Sequence, residues 1–250
     1  MKANIGLVSV TYRRLEADAL VTLAREADLS CIEWGSDIHV PETDPARAHR
    51  VGEMTRAAGL TVASYGTYYR LGQGQDFAAY LKAAEALGAP LLRLWAGVRG
   101  RDAVDAATRC AWVSDGRAVS EAAAARGLRV AFEYHPGTLT DERKSAIRLM
   151  HEINHPAAGL YWQPDFHRTE DELKRDLEAV LPWLCAIHVF SWLPDGTRLP
   201  LAERGTLWAE LLGCVPETVP INLLLEFVPG DDPTVLAREA ATLRGLAGKA

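Results

Sequence analysis

The sequence predicts an α/β fold of the (β/α)8 type, a TIM barrel, forming one domain over residues 1–250. Three observations predict it. One phrase recurs: an Ala-rich amphipathic helix ends near a glycine, and an apolar run of four to six residues follows. It is seen in R-A-A-G-L-T-V-A-S-Y (56–65), E-A-L-G-A-P-L-L-R-L-W (85–95) and A-A-R-G-L-R-V-A-F-E (124–133). Glycine at a helix end suits a left-handed C-cap, and short runs without polar alternation suit parallel strands buried on both faces. Next, eight such strands and eight helices fit into 250 residues, the number and length this barrel needs. Finally, the turn after the first strand, S-V-T-Y-R-R, has no glycine, whereas an open doubly wound sheet carries a Gly-rich phosphate loop there.

In chain order, the apolar runs place strands near 4–9, 30–34, 60–65, 90–95, 128–133, 158–162, 185–190 and 221–227. The 3.6-residue periodicity places helices near 14–27, 44–58, 75–87, 102–126, 141–152, 169–180, 203–213 and 231–247. Four helix starts carry cap signals: Asp44 before Pro45, Thr140 with Arg143, Thr169 with Glu172 three residues on, and Asp232 before Pro233. No linker or low-complexity segment divides the chain. The longest connection is S-W-L-P-D-G-T-R-L-P-L, after strand seven.

Composition narrows the function classes. The formal net charge of −6 argues against nucleic acid as the main partner, because phosphate backbones select a basic footprint. No apolar stretch is long enough to cross a membrane, and the N-terminal apolar run is too short for a signal peptide. Cys31, Cys110, Cys185 and Cys214 form no C-x-x-C pair and read as small buried hydrophobes of a reducing, cytoplasmic protein.

Chemistry gathers where strands end. The run R-V-A-F-E-Y-H (129–135) closes with Glu133 and His135, which share a strand face. A carboxylate ending an apolar run is costly to bury without a cationic partner. The oddity recurs at His188 in A-I-H-V-F, at Glu226 in L-L-L-E-F-V, and at Gln163 and Asp165 in L-Y-W-Q-P-D. These four strand ends are expected to converge on one divalent metal. Oxygen and imidazole donors without thiolate suit Mn²⁺, Mg²⁺, Co²⁺ or Zn²⁺ in an open site. Other strand ends supply Glu33, Asp37 and His39, then Tyr65, then Arg93 and Trp95. Glu33 reads equally as a substrate ligand or as a buried partner of Arg93. Trp34, Trp95, Trp162 and Trp192 read as barrel packing or as apolar walls for a sugar.

The pattern F-E-Y-H, I-H-V-F and L-E-F-V resembles the xylose isomerase-like barrel superfamily of sugar phosphate isomerases and epimerases, over nearly the whole chain. The resemblance implies that Glu133, His188 and Glu226 are metal ligands and that His135 contacts substrate. At the fourth ligand position the family has Asp. Aligning strand ends puts Gln163 there, and Asp165 is the alternative. The resemblance also implies proton abstraction beside a metal-polarised carbonyl of a sugar, a sugar phosphate or an inosose-type ketone. Glu133 and Glu226 would carry the proton. Glu33, His39, Tyr65, Arg93, Trp95 and Trp192 would line the substrate, and Arg198 would meet a carboxylate or phosphate. Two alternatives stand beside the isomerase or epimerase. E-Y-H-P-G-T-L-T-D is similar to the strand-five motif of 3-dehydroshikimate dehydratases, and a neutral Gln163 fits a non-catalytic sugar-binding barrel. A homo-oligomer is compatible with all three.

Overall fold

The chain alternates strand and helix and closes on itself. The computed structural model describes residues 3–218 and 220–248. The barrel strands are β1 (Ala3–Val8), β2 (Cys31–Gly35), β3 (Thr61–Arg70), β4 (Leu91–Trp95), β5 (Arg129–Glu133), β6 (Ala158–Trp162), β7 (Leu184–Val189) and β8 (Ile221–Leu225). The helices are α1 (Ala17–Glu26), α2 (Pro45–Ala57), α3 (Phe77–Leu87), α4 (Ala106–Ala124), α5 (Arg143–Ile153), α6 (Glu170–Val180), α7 (Gly205–Gly213) and α8 (Leu236–Ala247). Each strand pairs in parallel with its sequence neighbours, and β1 pairs with β8 to complete the cylinder. This is the (β/α)8 barrel the sequence predicts. Among the described residues, no helix is long and apolar enough to cross a membrane.

The three glycines in the recurring phrase do what their position requires. Gly59, Gly88 and Gly127 have φ of 79°, 78° and 70°, the left-handed region that ends a helix at little steric cost. Side chains facing out from the strands pack under the helices in one continuous core that includes Trp34, Tyr65, Phe132, Trp162 and Trp208. Inside the barrel a separate cluster of Val8, Val10, Cys31, Ala63, Leu91, Ala131, Tyr161, Ala186 and Leu224 fills the lower layers. The polar strand ends lie on top of this plug.

Several boundaries differ from expectation, each for a local reason. Asp44 caps α2 by accepting from Arg47 N, and Thr169 with Glu172 forms a reciprocal capping box. Thr140 is no cap. Its hydroxyl donates to the Glu133 carbonyl, and Glu142 caps α5 by accepting from Lys144 N and Ser145 N. Asp232 caps a short 3-10 turn (Pro233–Val235), so α8 starts later, at Leu236. Helix α4 starts at Ala106, where Asp105 accepts from Thr108 N, and not at 102. The long connection after β7 folds into a small antiparallel hairpin pairing Ser191–Trp192 with Arg198–Leu199. All four cysteines are free. Cys31 is buried as expected, but Cys110 is exposed.

Candidate functional site

Inward-facing residues at the C-terminal ends of the strands form one buried polar layer. It holds Glu33 from β2, Arg93 from β4, Glu133 from β5, His188 from β7, and Gln163 and Glu226, each one residue past its strand. None is more than 8% exposed. Arg93 bridges two acids. Its Nε donates to Glu33 Oε1 at 2.8 Å, and its Nη1 donates to Glu133 Oε2. Trp95 Nε1 donates to the same Glu133 oxygen. That leaves Glu133 Oε1 facing His188.

His188 is the hub. Its Nε2 lies 3.5 Å from Glu33 Oε1. Its Nδ1 lies 3.3 Å from Gln163 Oε1, 3.4 Å from Glu226 Oε2 and 3.5 Å from Glu133 Oε1. Glu226 Oε2 is buried and has no hydrogen-bond partner. Beneath the hub, Ser64 Oγ donates to Glu33 Oε2 at 2.7 Å and lies 2.9 Å from the Tyr161 hydroxyl.

This packing of charge sets the protonation of each group. Burial acts to raise all three carboxyls. In Glu33 and Glu133 the Arg93 guanidinium outweighs burial, with His188 assisting, so Glu33 lies far below the usual carboxylate range and Glu133 is brought down to about 2. In Glu226 burial dominates, opposed only in part by His188 and reinforced by the Glu133 charge, and the carboxyl is pushed up to about 7. Burial works against a charged His188, but the Glu226 and Glu33 carboxylates prevail and lift it to about 10.

The donor set fits a divalent ion. Ligand atoms at about 2.0–2.2 Å from a shared cation lie about 3–3.5 Å from one another. The three oxygens stand at that spacing from His188 Nδ1, and one of them, on Glu226, lacks any other partner. Glu33 Oε1, 3.5 Å from Nε2 and not hydrogen-bonded to it, stands on the side from which a carboxylate commonly orients a ligating imidazole. Among the described residues no three His, Cys, Asp or Glu side chains already form a cation cage. The convergence here is on one nitrogen, and an amide is its fourth member.

Above the layer, His135 stacks on Trp95 with ring centroids 4.5 Å apart, and the Arg70 guanidinium covers the same indole at 4.5 Å. A cavity of about 290 Å³ opens over Gln163, walled by His135, Phe190, Trp192 and Phe227. It is large enough for a small polyol and offers aromatic faces for its C–H surface.

Asp165 lines the same cavity as Gln163, and its Oδ1 accepts from His167 N in its own turn. Other expected site residues lie elsewhere. His39 is a buried structural histidine, with Nδ1 at 3.0 Å from Ser9 Oγ and Nε2 at 3.1 Å from the Leu15 carbonyl. Arg198 sits at the rim, bonded to Asp231. Asp37 pairs with Arg13. Trp34 and Trp162 face outward into the helix layer and are fully buried, so neither is a wall. Tyr65 also faces outward, and its hydroxyl donates to the Val40 carbonyl at 2.7 Å. The reason is a bulge. The pairing steps from Ile32↔Val62 to Glu33↔Ser64, so Ala63 is skipped. One extra residue reverses the alternation, turning Ser64 toward the layer and Tyr65 away from it.

Tyr65→Phe is therefore expected to lower stability by about 1–2 kcal/mol, through the lost bond and the stranded Val40 carbonyl, and to leave binding at the mouth unchanged. Urea unfolding alongside ligand titration checks both halves.

Sequence reasoning missed Ser64, Tyr161 and Gly66. Ser64 is the one polar residue between the apolar 62–63 and Tyr65, which is its only signal. A Cβ on Gly66 would lie 2.8 Å from both Arg93 Nη2 and Glu33 Oε1, so the ion bridge needs bare backbone there.

A search of curated protein sequences gives no significant match. Solved structures do match in fold. The probable 3-DHS dehydratase AsbF, involved in petrobactin synthesis in Bacillus anthracis, aligns over 96% of this chain and 98% of its own, with TM-score 0.82 and 18% identity. D-psicose 3-epimerase of Clostridium cellulolyticum H10, solved with D-tagatose, aligns over 99% of this chain and 98% of its own, with TM-score 0.72 and 15% identity. A xylose isomerase-like TIM barrel protein from Mycobacterium smegmatis, solved in complex with magnesium, aligns over 98% of this chain and 97% of its own, with TM-score 0.70 and 16% identity. Residues 21–196 match the xylose isomerase-like TIM barrel family, and with the closed barrel and its polar strand ends this chain belongs to that family.

Proposed function

We propose that this protein is a divalent-metal-dependent isomerase or epimerase that moves a proton on the carbon beside the ketone of a small polyol. The observation that carries the reading is the meeting of Glu133 Oε1, Gln163 Oε1 and Glu226 Oε2 at His188 Nδ1, under an aromatic-walled mouth. These four side chains would hold the ion. A divalent ion bound there supplies Lewis acidity and steadies negative charge on the substrate oxygens. The chain supplies the proton traffic. With Glu226 Oε2, free of protein hydrogen bonds, turned to the ion, the second oxygen of the same carboxylate takes the proton. Glu133 is fixed by Arg93 and Trp95 and stays ionised beside it. Return of the proton to the neighbouring carbon isomerises the substrate; epimerisation instead needs a second carrier to deliver a proton to the opposite face of the same carbon. His135, braced on Trp95, hydrogen-bonds a substrate oxygen. Trp95 and Trp192 lie against the carbon skeleton and exclude water.

A second reading is a lyase acting on a ring ketone such as 3-dehydroshikimate. It shares the first proton abstraction and is supported by the likeness to AsbF across nearly both chains. The test is isotope exchange. Protein loaded in turn with Mn²⁺, Mg²⁺, Co²⁺ or Zn²⁺ is incubated in D₂O with ketohexoses, inosose-type ketones and dehydroshikimate. Deuterium entering beside the carbonyl, with an isomerised or epimerised product, is the expected result. A catechol product from dehydroshikimate selects the lyase. Saturable sugar binding with neither exchange nor product would replace both readings with a non-catalytic binding barrel.

A further inference from the structure

Gln163 uses only half of its amide. Its Oε1 lies 3.3 Å from His188 Nδ1, within the cluster of donors at the hub. Among the described residues its Nε2 has no hydrogen-bond partner. Nor is that nitrogen sealed. The buried, unpartnered side-chain atoms of this layer are His188 Nε2 and Glu226 Oε2, and Gln163 Nε2 is not among them. The residue is 8% exposed, and the opening it lines is the mouth of about 290 Å³. Its amide hydrogens therefore face the space a substrate fills.

The chain holds the side chain there. Gln163 follows β6 directly and precedes Pro164. A residue before proline is restricted to extended backbone, so the strand direction carries on past Trp162. Trp162 packs outward under the helices, and the next position in the alternation faces in. Charge gives one reason for an amide here. Glu33, Glu133 and Glu226 already crowd His188, with Arg93 the guanidinium among them. A fourth carboxylate would add repulsion. An apolar side chain would avoid that repulsion equally well, so charge does not account for the open nitrogen. A donor at a half-closed mouth calls for an acceptor.

We infer that Gln163 makes two contacts in the working site: Oε1 holds the ion, and Nε2 donates to the substrate oxygen that turns negative as the proton leaves carbon. This rests on the function proposed above and deepens it, placing the ketone oxygen of the substrate beside the amide. A carboxylate in the same position would repel that oxygen, whereas an amide nitrogen steadies it. Gln163 brings no charge to the ion and holds it less tightly for that reason. In return the site gains a donor aimed at the reacting oxygen. The proton lost from carbon goes to Glu226, so the amide itself transfers nothing.

The chain has three glutamines, Gln73, Gln75 and Gln163, so ¹⁵N-glutamine labelling gives three side-chain amide signals. Gln75 is a built-in reference, because its Nε2 already donates to the Tyr68 carbonyl and the Tyr80 hydroxyl, each at 3.1 Å. Acetohydroxamate is the probe, since its adjacent planar oxygens mimic an enediolate. It is titrated into protein saturated with Mg²⁺, which is diamagnetic. A Gln163 Nε2 proton is expected to move downfield as the probe binds, while the Gln75 signal stays. Gln163→Glu should bind Mg²⁺ several-fold tighter and the probe about tenfold or more weaker. Gln163→Met adds no charge and, at saturating Mg²⁺, should also bind the probe about tenfold more weakly. A loaded protein that ignores the probe, a Gln163 signal unmoved by bound probe, or parental probe affinity in Gln163→Met would overturn the inference and leave the ion site standing. A parent protein that binds none of Mg²⁺, Mn²⁺, Co²⁺ and Zn²⁺ by calorimetry would overturn it together with the metal-dependent reading.

Discussion

Arg93→Met is expected to destabilise the metal-free protein by about 3–5 kcal/mol, the usual result of removing one partner from a buried ion pair. The guanidinium is buried and serves Glu33 and Glu133 together. Methionine fills similar volume but strands two carboxylates in the barrel. Arg93→Lys keeps the charge yet cannot fork to both acids, so it should fall between the two. Urea unfolding measures the loss. The pH dependence adds a second check. With Arg93 in place, Glu133 is held at about 2 and Glu33 lower still, against about 4.5 for an unperturbed Glu. Their contribution to stability is therefore complete above about pH 4.5 and is lost as pH falls through about 2. Without Arg93, burial is opposed only by His188 and lesser contacts, so both carboxyls move upward and the stabilisation they give at neutral pH shrinks. A variant whose unfolding free energy tracks that of the parent protein at every pH would refute the bridge.

Glu226→Gln is expected to slow proton transfer by about 10²–10⁴-fold, the span ascribed to a positioned general base. The substitution keeps shape and size. The backbone at this position is secured, with Glu226 N donating to the Val189 carbonyl at 3.1 Å, so the fold should persist. Glu133→Gln is a less clean probe, because it also breaks the bond to Arg93. Deuterium wash-in to the ketone substrate, measured with circular dichroism as a control on folding, separates lost chemistry from lost structure. Exchange at the parental rate in Glu226→Gln would remove this residue from the proton path.

The eight-fold alternation was legible because parallel barrel strands are buried on both faces and leave short, unmixed apolar runs. The helix-ending glycines at 59, 88 and 127 were legible because only a left-handed cap explains glycine there. The convergence of Glu133, His188, Gln163 and Glu226 followed from one fact, that polar residues ended those runs. What escaped was whatever depends on register. Tyr65 is expected at the mouth because the third apolar run ends on it, and one skipped residue, Ala63, turns it outward. Ser64 and Gly66 gained their roles by the same step. His39 escaped because its partners, Ser9 and Leu15, lie on another connection. The open amide nitrogen of Gln163 carries no pattern of its own, since the mouth it faces exists only once the cylinder shuts.

That closure has a consequence for how the chain is made. Asn4 Nδ2 bonds Asn222 Oδ1 at 3.0 Å across a gap of 218 positions, and Arg244 reaches back to the carbonyls of Ala27 and Asp28. On the ribosome, β1 can find β2 early, but its opposite edge stays open until β8, 218 positions further on, has emerged. An unsatisfied strand edge held that long is a template for wrong partners. Only when the strand Ile221–Leu225 reaches β1 do the buried acids and their arginine find a dry home.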